Sequence, residues 1–214
     1  MDNQQQKLNQ HLIPIFEEVL PALANAGIKY WVFGGIGIAG IVGKFLRENK
    51  DVDVYVQEED FLKAEPVLKR LCEEHGSWDA DGWDLRYSML KNNGRPKFDI
   101  FIKKVEHFSL VPVYKIEDGV EFRVLETFRL PNDALTQDLK TVDGFQFFSP
   151  PKDVLLALFR SLIERYIIHY NKPTPIDENS KHLIDARAVF SKEEVDEYIQ
   201  RFNQRAKSLE MQTP

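Results

Sequence analysis

The segment Tyr30-Trp-Val-Phe-Gly-Gly35, followed about one helix later by Asp51-Val52-Asp53, constrains this chain more than any other feature. Four apolar residues ending in a glycine pair read as a buried strand that turns sharply. The second run continues as Val52-Asp-Val-Tyr-Val56, a further strand. Successive strand side chains point to opposite faces, so Asp51 and Asp53 project together, roughly 6–7 Å apart along the chain. That spacing suits two metal ions about 3.5–4 Å apart, the pair that clamps both ends of an in-line displacement at phosphorus. Asp99, in the apolar run Phe98-Asp99-Ile100-Phe101-Ile102, could close the site as a third acid.

Around this segment the pattern is that of a mixed α/β chain. Leu8, Leu12, Ile15, Phe16, Val19, Leu20 and Leu23 recur at helical spacing, and Gly27 is a plausible stop. Ile36–Gly43 is small and apolar, which predicts a short buried helix, and Glu58–Glu74 predicts an amphipathic one. Asp84–Leu90 and Lys97–Ile102 read as strands joined through Lys91-Asn-Asn-Gly94, whose Asn-Gly pair favours a tight hairpin. Weaker strand signals follow at 111–114, 121–124 and 145–148. After Ser149-Pro150-Pro151 the strands vanish, and 153–170, 182–190 and 192–205 predict helices. Ser191 with Glu194 three places on resembles a capping box. The boundary therefore falls between a sheet domain at 1–148 and a small helical domain at 149–214.

Composition narrows the function classes. A chain of 214 residues with 43% hydrophobic content holds one good core or two small ones. A single cysteine, Cys72, excludes a disulfide framework and any cysteine-based zinc cluster. No apolar run approaches the roughly 20 residues of a membrane span. The first residues, Met1-Asp-Asn-Gln-Gln-Gln-Lys7, lack a signal-peptide pattern, so the expected location is the cytoplasm. The net charge of −6 weighs against broad nucleic-acid binding through clustered basic residues. His75, His107 and His169 show no paired ligand spacing. Trp78, Trp83 and Tyr87 read as packing residues. The acidic stretch Asp79-Ala-Asp81-Gly-Trp-Asp84 reads as a solvated loop, or as an attraction for a cationic acceptor.

Gly34-Gly35, then Arg47-Glu-Asn-Lys-Asp51-Val-Asp53, then Asp99 resembles the nucleotidyltransferases of the DNA polymerase beta superfamily. Among these it is most similar to the small bacterial aminoglycoside and lincosamide nucleotidyltransferases and the toxins of type IV toxin–antitoxin pairs. Their pattern is a glycine pair after the first strand, an Arg four residues before the first Asp, Asp-x-Asp on the second strand, and a later strand Asp. The resemblance loosely spans residues 8–190, through the Ser-Pro helix start near 149 and Lys181-His-Leu-Ile-Asp185. It implies a nucleotidyltransferase-type mixed sheet with flanking helices, plus a small C-terminal helical domain. The chain departs from the pattern at Asn49, where relatives often carry Ser, Thr or His. It departs again near Leu158, where relatives supply a triphosphate-binding Lys; Arg160 and Lys152 are the available cations nearby.

The resemblance implies transfer of a nucleoside monophosphate from a nucleoside triphosphate to an acceptor hydroxyl, with two Mg2+ ions. Asp51 and Asp53 would hold the metals, while Asp99 would ligate the catalytic one or take the hydroxyl proton. Gly34 and Gly35 let the backbone approach a phosphate, because no Cβ intervenes. Arg47, Asn49, Lys152 and Arg160 are the remaining candidates at the triphosphate, Arg47 through its planar fork. The expected acceptor is a small hydroxylated molecule, with tRNA as the competing one. Two other readings stay open: a catalytically inactive nucleotide- or partner-binding module, and a toxin-like transferase acting on tRNA or protein.

Overall fold

Tyr30–Phe33 and Val52–Gln57 form β1 and β2, which pair antiparallel so that Phe33 stands opposite Asp53 and Trp31 opposite Tyr55. This register sorts the side chains by face. Val52, Val54 and Val56 are fully buried with Tyr30 and Val32 in the main core, whereas Trp31, Phe33, Asp53 and Tyr55 share the opposite face. There the rings of Phe33 and Tyr55 meet edge-on with centroids 4.2 Å apart. The computed structural model describes residues 9–75, 83–88, 97–102, 108–123 and 127–211, and the chain divides into two units, 1–151 and 152–214.

In the first unit the opening stretch is not one continuous helix. It runs as a 3-10 turn at Gln10–Leu12, a π-helical turn at Ile15–Val19 and the short α1 at Leu20–Asn25. Proline explains the change of pitch. Pro21 has no N–H to return to the carbonyl four residues back and its ring crowds that carbonyl. The helix widens just ahead of it, and Leu20 donates to the carbonyl of Ile15. The apolar stripe survives: Leu12, Ile15, Val19, Leu20 and Leu23 are all fully buried.

Gly34–Val42 is α2 and Glu58–His75 is α3. α2 stops at Gly43, whose φ of +84° is the left-handed C-cap that glycine adopts without steric cost. α3 covers β2 and donates Phe61, Ala64 and Leu68 to the core. β3 (Trp83–Ser88), β4 (Lys97–Ile102), β5 (Phe108–Ile116), β6 (Gly119–Arg123) and β7 (Thr127–Leu130) complete the main sheet. Among the described residues the strand order is β1-β2-β5-β4-β3, with β6 on β5 and β7 on β6. Among the pairs of described strands in this sheet, β2–β5 is parallel and the others are antiparallel. The expected strands at 84–90 and 97–102 do pair as neighbours, while their Lys91–Gly94 turn lies outside the described residues, as do Trp78, Asp79 and Asp81.

A separate hairpin, β8 (Asp138–Val142) with β9 (Phe145–Ser149), docks beside β1 and against α2. Buried Ser149 donates its hydroxyl to the carbonyl of Val32 at 2.8 Å, and Gln137 donates to that of Tyr30 at 3.0 Å. Gly40 of α2 is the contact point. A Cβ there would lie 3.1 Å from both Lys140 and Phe147.

The second unit is helical: α4 (Lys152–Ile168), α5 (Lys181–Val189) and α6 (Lys192–Glu210). Leu155, Phe159, Ile163 and Ile167 form a buried stripe at four-residue spacing on α4, and Val195, Tyr198, Phe202 and Ala206 form one on α6. α6 begins with the expected cap, as Ser191 Oγ accepts from the Glu194 N–H at 3.2 Å. Among the described residues no helix is long and apolar enough to cross a membrane.

Candidate active site

β1 passes into α2 without a loop, and the glycine pair makes that junction possible. Phe33 is still extended, and Gly34 follows at φ +65°, in the left-handed region that a Cβ disfavours. Because Phe33 stands opposite Asp53, this turn brings the helix start against the Asp53 carboxylate. A Cβ on Gly34 would sit 2.6 Å from Asp53 Oδ2. A Cβ on Gly35 would overlap the Arg47 guanidinium and lie 2.5 Å from Asn49 Oδ1. Five of the sequence candidates, Gly34, Gly35, Arg47, Asn49 and Asp53, thus converge at the start of α2, where a side chain at 34 or 35 would collide with the other three.

The polar connection between α2 and β2 is held at both ends. At its start Phe45 is buried against Phe16, its N–H donates to Asp143 Oδ2 at 3.1 Å, and the Asp143 N–H donates to the Gly43 carbonyl at 3.3 Å. Asp143 itself sits at φ +49° in the β8–β9 turn. At its far end Asn49 is buried, and its amide nitrogen donates to the Arg47 carbonyl at 3.1 Å. The Arg47 guanidinium donates to the Glu48 carbonyl at 2.9 Å.

Two residues that the sequence did not single out hold this far end. Asn9, itself buried, donates to the Arg47 carbonyl at 3.0 Å and accepts from the Asn49 N–H at 2.9 Å. His11 Nε2 lies 2.8 Å from the Asn49 carbonyl. A carbonyl only accepts, so this nitrogen carries the proton. No local signal marks either residue, since their partners are 38 to 40 positions away.

The acids are spread over the sheet. Asp51 is exposed just ahead of β2, and Asp53 is half-buried on it. Asp53 and Phe101 both pair with Ser109, one from each side. Asp99, two positions back along β4, therefore occupies a register position on the same sheet face as Asp53. Two strand spacings and one two-residue step separate their backbones by about 12 Å, well beyond the step between Asp51 and Asp53. Among the described residues no three His, Cys, Asp or Glu side chains form a ready metal cluster.

Lys152 and Arg160 belong to the second unit, where both are exposed on α4. Arg160 is engaged within that unit: Nε meets Glu194 Oε1 at 2.7 Å, and the guanidinium lies 4.6 Å over the Phe190 ring. The bond to Glu194 raises the guanidinium above its ordinary value, and the same bond pulls the Glu194 carboxyl below its own. Tyr198, which donates to Glu194 at 2.9 Å, is raised by burial first and by that bond second.

Residues 15–104, which include the glycine pair, Arg47, Asn49, Asp51, Asp53 and Asp99, match the aminoglycoside-2''-adenylyltransferase family model. The solution structure of the antibiotic-resistance factor ANT(2'')-Ia superimposes with a TM-score of 0.50 at 18% identity, covering 99% of this chain and 98% of that one. The crystal structure of ANT(2'')-Ia with adenylyl-2''-tobramycin gives 0.51 at 16% identity, over 90% and 97%. The lincomycin-bound lincosamide adenylyltransferase LnuA gives 0.51 at 16%, over 85% and 97%. No curated protein sequence matches the chain. The chain has the nucleotidyltransferase fold of these small antibiotic adenylyltransferases, and over residues 15–104 it resembles the aminoglycoside-2''-adenylyltransferase family in sequence.

Proposed function

We propose that this protein is a Mg2+-dependent nucleotidyltransferase that moves a nucleoside monophosphate from a nucleoside triphosphate to the hydroxyl of a small molecule. The observation that carries the reading is the packing of Asp53 against Gly34 at the head of α2. It puts a carboxylate, a side-chain-free backbone and a helix start on one spot, which is what a metal-bound phosphate chain needs.

The donor set fits Mg2+. Asp51 and Asp53 are hard oxygen ligands, and Mg2+ takes one or two carboxylates with water and substrate phosphates completing its shell. When bound, the metal neutralises the triphosphate and stabilises the charge that develops on the leaving pyrophosphate. The chain's own residues do the rest. Gly34 and Gly35 let the phosphates approach the backbone, Arg47 donates its planar fork to their oxygens, and Asn49 packs against Gly35. The acceptor oxygen bonds to the α-phosphorus as the bond to the β-phosphate bridge breaks, releasing pyrophosphate and one proton. The wide backbone offset of Asp99 suits the acceptor side, where its carboxylate would take that proton. Arg160, now paired with Glu194, and Lys152 are the cations that α4 offers for the triphosphate.

A small acceptor is supported by the net charge of −6 and by the acceptors named for the structural relatives, tobramycin and lincomycin. The test is incubation with each nucleoside triphosphate, Mg2+ and a panel of aminoglycosides, lincosamides and tRNA, scored by pyrophosphate release. Release that depends on a small hydroxylated acceptor supports the reading. Release dependent on tRNA alone overturns the choice of acceptor.

A further inference from the structure

We infer that Asn9 and His11 are positioning residues of the proposed triphosphate site, acting through the backbone of residues 47–49. The inference rests on the nucleotidyltransferase reading and adds to it a part built by the N-terminal segment. The Asn9 amide bonds the loop the way a neighbouring strand would: Nδ2 donates to the carbonyl of Arg47 and Oδ1 accepts from the N–H of Asn49. His11, two residues on within the 3-10 turn that Asn9 precedes, donates to the carbonyl of Asn49 at 2.8 Å. Two side chains thus fix three backbone groups within three residues. Those residues carry the two side chains that meet Gly35, the Arg47 guanidinium and the Asn49 carboxamide.

The physical consequence is preorganisation. A seven-residue connection from Lys44 to Lys50, containing Arg47 and Glu48 as well, has many accessible conformations, and ordering each residue costs backbone entropy. With the latch in place that ordering precedes ligand binding, so a phosphate meets Arg47 already in position. Asn9 is 1% exposed and Asn49 4%, so the bonds between them are shielded from competing water. Without the latch the anchors at Asp143 would still hold Gly43 and Phe45, and the slack would fall on residues 46–50.

The test uses the full chain with four variants: His11→Ala, His11→Gln, Asn9→Asp and Asn9→Ala. Glutamine places a donor where His11 Nε2 stands, and aspartate keeps the acceptor of Asn9 while losing its donor. Amide hydrogen exchange over 46–50 is read beside calorimetric binding of inorganic tripolyphosphate and of ATP, both with Mg2+. His11→Ala should speed exchange across 46–50 but not across β2. It should weaken both ligands by roughly threefold to tenfold, at most about 1.4 kcal/mol. His11→Gln should restore both, and Asn9→Asp should fall between wild type and Asn9→Ala. Unchanged exchange and affinity in folded His11→Ala overturns the inference and leaves the functional reading standing. So does a His11→Gln variant no better than alanine, since that marks a packing role only. If the unaltered protein binds neither ligand, the functional reading fails and this inference fails with it.

Discussion

Oδ2 of Asp53 lies 2.6 Å from where a Cβ on Gly34 would stand, so the carboxylate and the start of α2 occupy the same few ångströms. Gly34→Ala tests that contact on two readouts. The left-handed φ of +65° should cost roughly 1–2 kcal/mol of stability for a residue with a Cβ. The methyl group would also push Asp53 from its place, so activity should fall by more than the stability loss explains. Chemical denaturation beside steady-state kinetics separates the two effects. A stable, fully active Gly34→Ala protein would remove the cradle from the mechanism.

Gly35→Ala should behave differently. Its φ is ordinary, and the obstruction is the Arg47 guanidinium and Asn49 Oδ1. The arginine tip can swing aside, whereas buried Asn49 is tied to Asn9 and the Arg47 carbonyl. The expected result is weaker triphosphate binding with modest loss of stability, measured by calorimetry and melting.

Asp53→Asn should abolish transfer. A metal ion contributes several kcal/mol to the transition state, so loss of its ligand should cost at least roughly a hundredfold in rate. The melting temperature is measured beside the rate, so that loss of the ligand is separated from loss of the fold. A variant that keeps full activity would take this residue out of the chemistry.

Much of this site was legible in order along the chain. Tyr30–Phe33 is apolar and brief, the glycine pair breaks it, and Asp51 and Asp53 interrupt valines at a two-residue period. Those are local signals of strand, turn and strand, and the structure forms each where the pattern puts it. What was not legible is long-range. The latch from Asn9 and His11 spans 38 to 40 residues and uses polar side chains inside an apolar-periodic stretch. The insertion of β5 between β2 and β4, which sets Asp99 two strands from Asp53, is a matter of pairing rather than composition. β7 and β8 also gave little signal. β8 reads Asp-Leu-Lys-Thr-Val, and only Val142 of it is buried. The opening helix was misread in form because the apolar period survives a π turn, whereas Pro14 and Pro21 dictate the pitch.

The Arg160–Glu194 pair predicts an acid-sensitive term in the second unit. Glu194 has a lowered value in the folded protein, so its contribution is present above the ordinary glutamate value of 4.5 and is lost as pH falls through the lower folded one. The effect is small, within about 1 kcal/mol for an exposed pair. Thermal melts of wild type and Glu194→Gln should differ at pH 7, and the difference should shrink as pH falls below 4.5. A constant difference across that range would show that the pair adds nothing.

Triphosphate binding should depend on the cation. Asp51 and Asp53 repel a bare triphosphate, and a bound cation reverses the local field. Calorimetry should therefore give clearly tighter binding with Mg2+ than with chelator. Equal affinity in both conditions would point instead to a simple basic phosphate pocket.

The most direct measurement is a single comparison of wild type and Asp53→Asn with each triphosphate, Mg2+ and the acceptor panel, following pyrophosphate and the mass of the acceptor. Wild type alone should release one pyrophosphate for each small hydroxylated acceptor that gains a nucleoside monophosphate. Acceptor that gains no mass with any triphosphate, or equal turnover in the Asp53→Asn protein, would contradict it.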